Sequence, residues 1–472
     1  MRSISYYIFL FCSLSCLSLH GQSTQVEFGK NRIQFHQDFD EWSMYESENF
    51  VTFWYGEGRN IGQAVVQIAE LDFNEIQNIL EHRMNNKIEI IVYKDITDIK
   101  QSNIGIEEAF INTGGRTKIV GNKVFVYYDG DHNHLRQSLR EGIAAVYMNA
   151  MLFGSNLQEI VQNAVMLNLP DWFKVGLVSY VGDSWNTELD NQLRDIILNK
   201  RFKNFDAFTE KYPKLAGHSM WYFISQNYGK STVSNLLYLT RIHRSIESGF
   251  LYVLGTPYEK TVSNWNQYFN QRYKVETVGM QNLEEGFVKI KNRRKLPISK
   301  VKISPDGKKI VYVLNEIGKV KIYVQDLQTN DRKLILKYGT RNALQETDYN
   351  YPLFAWSPNN LELGILYEKR DVIKSLFYDL SSEKKELDIL PNQFQRVYSM
   401  DYINPAKLVF SAAVRGISDI YTYVPANRQS SRLTNDFWDD LDVSYVNIDG
   451  QKGLLFASNR QDSMLVLSLI HI

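Results

Sequence analysis

A strand–turn–strand phrase recurs through the last third of the chain and constrains its fold more than anything else in the sequence. Val301-Lys302-Ile303-Ser304-Pro305-Asp306-Gly307 leads into Ile310-Val311-Tyr312-Val313. Phe354-Ala355-Trp356-Ser357-Pro358-Asn359-Asn360 leads into Leu363 to Tyr367, and Met400-Asp401-Tyr402-Ile403-Asn404-Pro405 into Leu408-Val409-Phe410-Ser411. A fourth copy, Tyr445-Val446-Asn447-Ile448-Asp449-Gly450, leads into Leu454 to Ser458. Successive turns lie 53, 47 and 44 residues apart. The first three units carry a further strand at 320–326, 375–380 and 419–424. Short β-branched and aromatic runs broken by Pro, Asp, Asn and Gly are strands and tight turns. A period in the forties is the length of one propeller blade.

Residues 40–275 follow another pattern. Asn49 to Tyr55, Lys87 to Tyr93 and Lys123 to Tyr128 are strand candidates. Val66, Ala69, Phe73, Ile76 and Leu80 recur at helical spacing, as do Leu135, Leu139, Ile143, Val146 and Ala150. Further helices are expected over 157–167, from Pro170-Asp171 onward, and over 186–199, 217–227 and 231–242. The fold class is therefore an α+β domain (22–275), a solvated linker (276–297) and an all-β propeller of about four blades (298–466).

Lys+Arg and Asp+Glu are both 53, so the chain lacks the basic excess of a nucleic-acid binder. Met1-Arg2-Ser3, the apolar run Ile4 to Leu19 and small Gly21 have the form of a secretory signal peptide over 1–21. Both cysteines, Cys12 and Cys16, fall inside it, so the exported chain has no disulfide or thiolate metal site. Ser13-Leu14-Ser15 before Cys16 is a poor lipoprotein signal. The expected location is the periplasm or the outer membrane surface, with no contact to membrane beyond a peripheral one. The last six residues, 467–472, match the translation of a common sequencing adapter and read as a foreign tail on a truncated frame.

The repeats, with Ser-Pro-Asp-Gly, Asp419-Ile420-Tyr421 and Arg432-Leu433-Thr434-Asn435, resemble TolB-type propeller repeats. Leu139-Arg140-Glu141-Gly142-Ile143-Ala144 and Trp172-Phe173-Lys174-Val175-Gly176-Leu177-Val178-Ser179-Tyr180 resemble the two motifs of the peptidase-MA-like domain of gluzincin metallopeptidases. That family places His-Glu-x-x-His on one helix and its third zinc ligand, a Glu, on a later one. The resemblance implies a scaffold in which Trp172, Phe173, Gly176 and Tyr180 are retained and Glu141 is a relic of the general base. Arg140, Ala144 and Val175 occupy the three ligand positions. A guanidinium has no lone pair to give and two hydrocarbon side chains have no donor, so no zinc and no catalytic residue is expected. The order of the two domains looks like envelope proteins of the Bacteroidota, which implies envelope protein or peptide partners in secretion, assembly or motility.

Other donors stay open as metal ligands. His132 and His134, near Asp129 and Asp131, read as polar residues capping the following helix, or else as a His-x-His site. His218, beside Ser219, reads as a packing histidine at a helix start, or else as a ligand. The leading function is a non-catalytic binding protein. The alternatives are a gluzincin-type zinc metallopeptidase with unconventional ligands, and a propeller that stacks saccharides on its many Tyr and Trp.

Overall fold

The computed structural model describes residues 42–84, 86–101, 111–112, 118–154, 163, 167–280, 288, 290, 292–341, 348–369, 372–461 and 464–471. The expected signal segment and most of the expected 157–167 helix lie outside them. Among the described residues no helix is long and apolar enough to cross a membrane.

The first part holds one six-stranded sheet of β1 (Trp42–Glu46), β2 (Phe50–Tyr55), β3 (Ile88–Tyr93), β4 (Ile111–Asn112), β5 (Lys118–Val120) and β6 (Lys123–Tyr127). The order is β1-β2-β3-β6-β5-β4, with β2, β3 and β6 mutually parallel and the edges antiparallel. Alternation assigns the two faces. Phe50, Ile88, Ile90, Val92, Val124 and Val126 join the main core with the helices, while Tyr55, Ile91, Tyr93, Phe125 and Tyr127 form a smaller cluster on the other face.

Ten helices follow among the described residues: α1 (Arg59–Leu80), α2 (Ile96–Gln101), α3 (His132–Phe153), α4 (Asp171–Gly182), α5 (Thr187–Leu198), α6 (Phe205–Lys211), α7 (Pro213–Tyr228), α8 (Thr232–His243), α9 (Ile246–Leu254) and α10 (Tyr258–Glu276). The α1 stripe runs Ile61, Val65, Ala69, Asp72, Ile76 and Leu80, so a carboxylate takes an otherwise apolar position. Helix α3 is buried continuously from Glu141 to Met148, which makes it the central helix of the domain. Helices α4 and α7 touch backbone to backbone. A Cβ on Gly217 would lie 1.9 Å from the Trp172 carbonyl oxygen, and one on Gly176 would lie 2.2 Å from the Gly217 Cα. That contact leaves no room for a side chain at Gly176. It also packs Phe173 against Trp221, whose indole donates to the Phe173 carbonyl at 3.0 Å.

The repeats form antiparallel meanders. Sheet 1 holds β7 (Ile298–Ile303), β8 (Lys309–Glu316), β9 (Lys319–Asp326) and β10 (Arg332–Tyr338). Sheet 2 holds β11 (Leu353–Trp356), β12 (Glu362–Glu368), β13 (Ile373–Asp379) and β14 (Lys385–Ile389). Sheet 3 holds β15 (Arg396–Asn404), β16 (Lys407–Val414), β17 (Ile417–Val424) and β18 (Gln429–Arg432). Sheet 4 holds β19 (Asp440–Ile448), β20 (Gln451–Gln461) and β21 (Met464–His471). The backbone of the expected foreign tail thus pairs with β20 from Leu467 to His471. The sheets stack face to face, with separate apolar cores between 1 and 2, 2 and 3, and 3 and 4. Among the described residues this is blade-like stacking of four sheets in an open series.

The Ser-Pro-Asp-Gly turn explains its own sequence. Ser304 Oγ accepts the Lys309 amide at 2.9 Å and donates to Asp306 at 2.6 Å, while Gly307 takes φ +69°. Only a residue without Cβ adopts that φ at no steric cost.

The two halves meet at the N-terminus of α3. Asp439, just before β19, accepts from the His132 amide at 2.8 Å and from Tyr128 Oη at 2.9 Å, with His132 Nδ1 at 2.9 Å. Ser418 donates to the Gly130 carbonyl at 2.9 Å. A carboxylate from one domain therefore sits at the positive end of a helix in the other.

Candidate binding cleft

Helices α3, α4 and α7 enclose a cleft of about 1190 Å³. Gln137, Ala145 and Met148 of α3 form one wall, and Lys174, Val175 and Val178 of α4 another. Tyr212, Lys214 and Leu215 close the α7 side. The walls mix apolar and hydrogen-bonding groups, as a pocket for an amphipathic ligand requires.

Glu141 lies next to this cleft, and its carboxylate is held in a buried ion pair by Lys214, which lines the cleft. It is 2% exposed, and Lys214 Nζ sits 2.7 Å from its Oε1. Its Cγ also packs on Gly182, where an added Cβ would come within 2.3 Å. Arg140 turns to α1, with Nη1 at 2.8 Å from Glu75 and 3.2 Å from buried Asp72. Its Nε and Nη2 donate to the Val181 carbonyl at 3.2 and 3.0 Å. The guanidinium thus ties α1, α3 and α4 together. Ala144 is buried in the main core, while Val175 lines the cleft. Trp172 and Phe173 are core residues, and Tyr180 donates to Ser225 at 2.8 Å.

The three histidines go to three different surroundings. His132 belongs to the domain junction. His134 lines the cleft, with Nδ1 at 3.0 Å from Asp129. Both lie in the first turn of α3, where Asp131 is the N-cap that accepts the Asn133 amide and Asp439 accepts the His132 amide. His218 is not at a helix start, because α7 begins at Pro213. It is fully buried, and its Nδ1 hydrogen-bonds Ser179 Oγ at 2.9 Å. Ser219 donates instead to the Ala216 carbonyl.

Burial, aided by the Lys214 charge, lowers the His218 pKa to about 3. The unfolded chain takes a proton near 6.5 that the folded chain refuses. Stability from this residue is therefore complete above pH 6.5 and is lost as pH falls toward 3, by about 1.4 kcal/mol per pH unit. Urea midpoints measured from pH 7 to pH 4 are expected to show this slope, and His218→Gln to flatten it.

Sequence reasoning missed three residues that matter here: Lys214, Asp72 and Asp439. Asp72 carried a signal, an acid in register with an apolar helical stripe. The other two carried none, since their partners lie 73 and 307 residues away. Among the described residues the ligand atoms of Asp419, Asp436 and Asp440 also converge, within 4.8 Å. Arg432 pairs with Asp419, and Arg460 with Asp436 and Asp440, so protein cations already occupy that cluster.

No family model matches the chain, and no curated protein matches it. Among solved structures, TolB from Acinetobacter baumannii is similar at 22% identity and TM-score 0.31, over 37% of this chain and 41% of that one. A TolB described from Agrobacterium tumefaciens is similar at 18% identity and TM-score 0.29, over 36% of this chain and 60% of that one. A prolyl endopeptidase is similar at 12% identity and TM-score 0.28, over 37% and 27%. The chain spans less than two thirds of each of these proteins.

Proposed function

We propose that this is an exported, non-catalytic binding protein that holds an extended peptide segment in the α3–α4–α7 cleft and leaves it uncleaved. One observation carries the reading: the Glu141 carboxylate beside the cleft is committed to Lys214 at 2.7 Å. A general base needs a free lone pair within reach of a water or substrate proton. Arg140, held by Asp72, Glu75 and the Val181 carbonyl, adds a second group that is structural and not chemical. The export and envelope setting rest on the N-terminal sequence and on the resemblance of the motifs. In this reading the stacked sheets provide a second surface for envelope proteins.

Fluorescein-labelled casein peptides serve as the probe. The expected result is saturable binding without release of smaller fragments, with or without added zinc. Val175→Arg, on a half-buried wall position, is expected to weaken binding at least tenfold while leaving the thermal midpoint unchanged; Tyr212→Ala is a second, milder variant. Zinc-dependent cleavage abolished by Glu141→Gln would overturn the proposal in favour of a peptidase. Binding unaffected by both wall variants would remove the cleft from it.

A further inference from the structure

Helices α8 and α9 carry apolar side chains on the side turned away from the core. Their inner side is already served: Val233, Leu236 and Leu237 of α8 and Ile246, Phe250 and Leu254 of α9 join the main core. Yet Tyr238 is 61% exposed, Ile242 52%, Leu251 47% and Tyr252 65%. Tyr238 and Ile242 stand four residues apart and so share one side of α8. His243 stacks on Tyr252 with 4.8 Å between ring centroids, so the outer sides of the two helices meet. The solvent side of a surface helix is ordinarily polar. Helix α9 departs from this, since Glu247 is its one charged residue.

Where the helices join, cations are left over. Arg241, His243 and Arg244 close α8. Among the described residues neither guanidinium makes an ion pair or a hydrogen bond, whereas Arg136, Arg194, Arg201 and Arg272 of the same domain are all ion-paired. The carboxylates close to this surface are engaged by hydroxyls: Glu247 accepts from Ser245 and Glu81 from Ser234, each at 2.7 Å. A helix C-terminus accounts for cations in its last turn. It does not account for four exposed apolar side chains beside them. Tyrosine rings and aliphatic side chains next to unpaired arginines suit the boundary layer of a bilayer, where rings lie at headgroup level and basic groups meet lipid phosphate.

We propose that the outer side of α8 and α9 docks on an anionic lipid surface. Tyr238, Ile242, Leu251 and Tyr252 enter the headgroup layer, and Arg241 and Arg244 face the phosphates. The contact is peripheral, in keeping with the lack of a membrane-spanning helix among the described residues. None of these six residues lines the α3–α4–α7 cleft, so the lipid surface stands or falls apart from peptide binding.

Co-sedimentation of the purified chain with phosphatidylcholine vesicles, with and without phosphatidylglycerol, tests this. The chain is expected to pellet with the phosphatidylglycerol vesicles and to stay in solution with the others. Salt at about 1 M, where the Debye length falls to about 3 Å, is expected to weaken the binding. Arg241→Glu with Arg244→Glu is expected to weaken it at least tenfold, since each cation at an anionic leaflet contributes roughly fivefold. Tyr238→Ser with Tyr252→Ser is expected to weaken it about as much and to leave the thermal midpoint unchanged, because both rings are exposed. A chain that stays in solution with phosphatidylglycerol vesicles would overturn the proposal, as would binding indifferent to the arginine pair. Binding to heparin that equals the vesicle binding and survives the tyrosine changes would also overturn it, in favour of a soluble polyanion.

Discussion

Gly217→Ala is expected to destabilise the helical domain by about 3 kcal/mol, the upper end of what overpacking costs. In an ordinary helix interior the same change gains about 1 kcal/mol, because alanine is the better helix former. Here the sign reverses. The new methyl would stand 1.9 Å from the Trp172 carbonyl oxygen and 2.6 Å from the Gly176 Cα, both backbone atoms of α4. Neither can swing aside as a side chain would. The two helices must separate, which loosens the Phe173–Trp221 ring contact and the indole bond to the Phe173 carbonyl. Urea denaturation followed by tryptophan fluorescence checks this. Leu71→Ala, on a side chain 79% exposed, provides the control and is expected to change little. A Gly217→Ala midpoint equal to the control's would mean that α4 and α7 do not approach this closely.

Asp439→Ala is expected to undock the two halves, at a cost of about 3 kcal/mol. The substitution strips the acceptor from the His132 amide, the His132 ring, Tyr128 Oη and Asn459 Nδ2 together. Asp439→Asn keeps the shape and one acceptor, and is expected to lose less. Undocking would show as two separate thermal transitions where the wild type has one, and as faster proteolysis between the domains. The junction also has a pH dependence. Burial pulls the His132 pKa down, and the hydrogen bond and charge of Asp439 outweigh it, leaving the pKa raised above 6.5. The protonated ring therefore supports docking fully below pH 6.5, and that support is lost as pH rises through the raised value. This runs opposite to His218, so together the two histidines favour a mildly acidic to neutral optimum. Docking that is insensitive to both pH and Asp439→Ala would refute the latch.

The repeat unit was legible because turns and strands are local. Ser304, Asp306, Gly307 and Lys309 share hydrogen bonds within six residues, so most of the turn's instruction is local. The fourth strand of each sheet was less legible. β18 is polar on both faces, and β14 alternates Leu387 and Ile389 with Glu386 and Asp388 over only five residues and leaves both apolar side chains exposed. The site was legible in part. That Arg140, Ala144 and Val175 offer a metal no lone pair is readable from side-chain type alone. What those residues do instead is not.

The sequence by itself determined which chemistry its motif positions offer and where the strands and main helices run, since both depend on side-chain type and short-range periodicity. Only the tertiary structure decided that Glu141 meets Lys214, that Arg140 reaches Asp72, and that Asp439 caps a helix in another domain. Charged side chains are satisfied by whichever partner packing brings within about 3 Å. Across separations of tens to hundreds of residues, no local pattern encodes that choice.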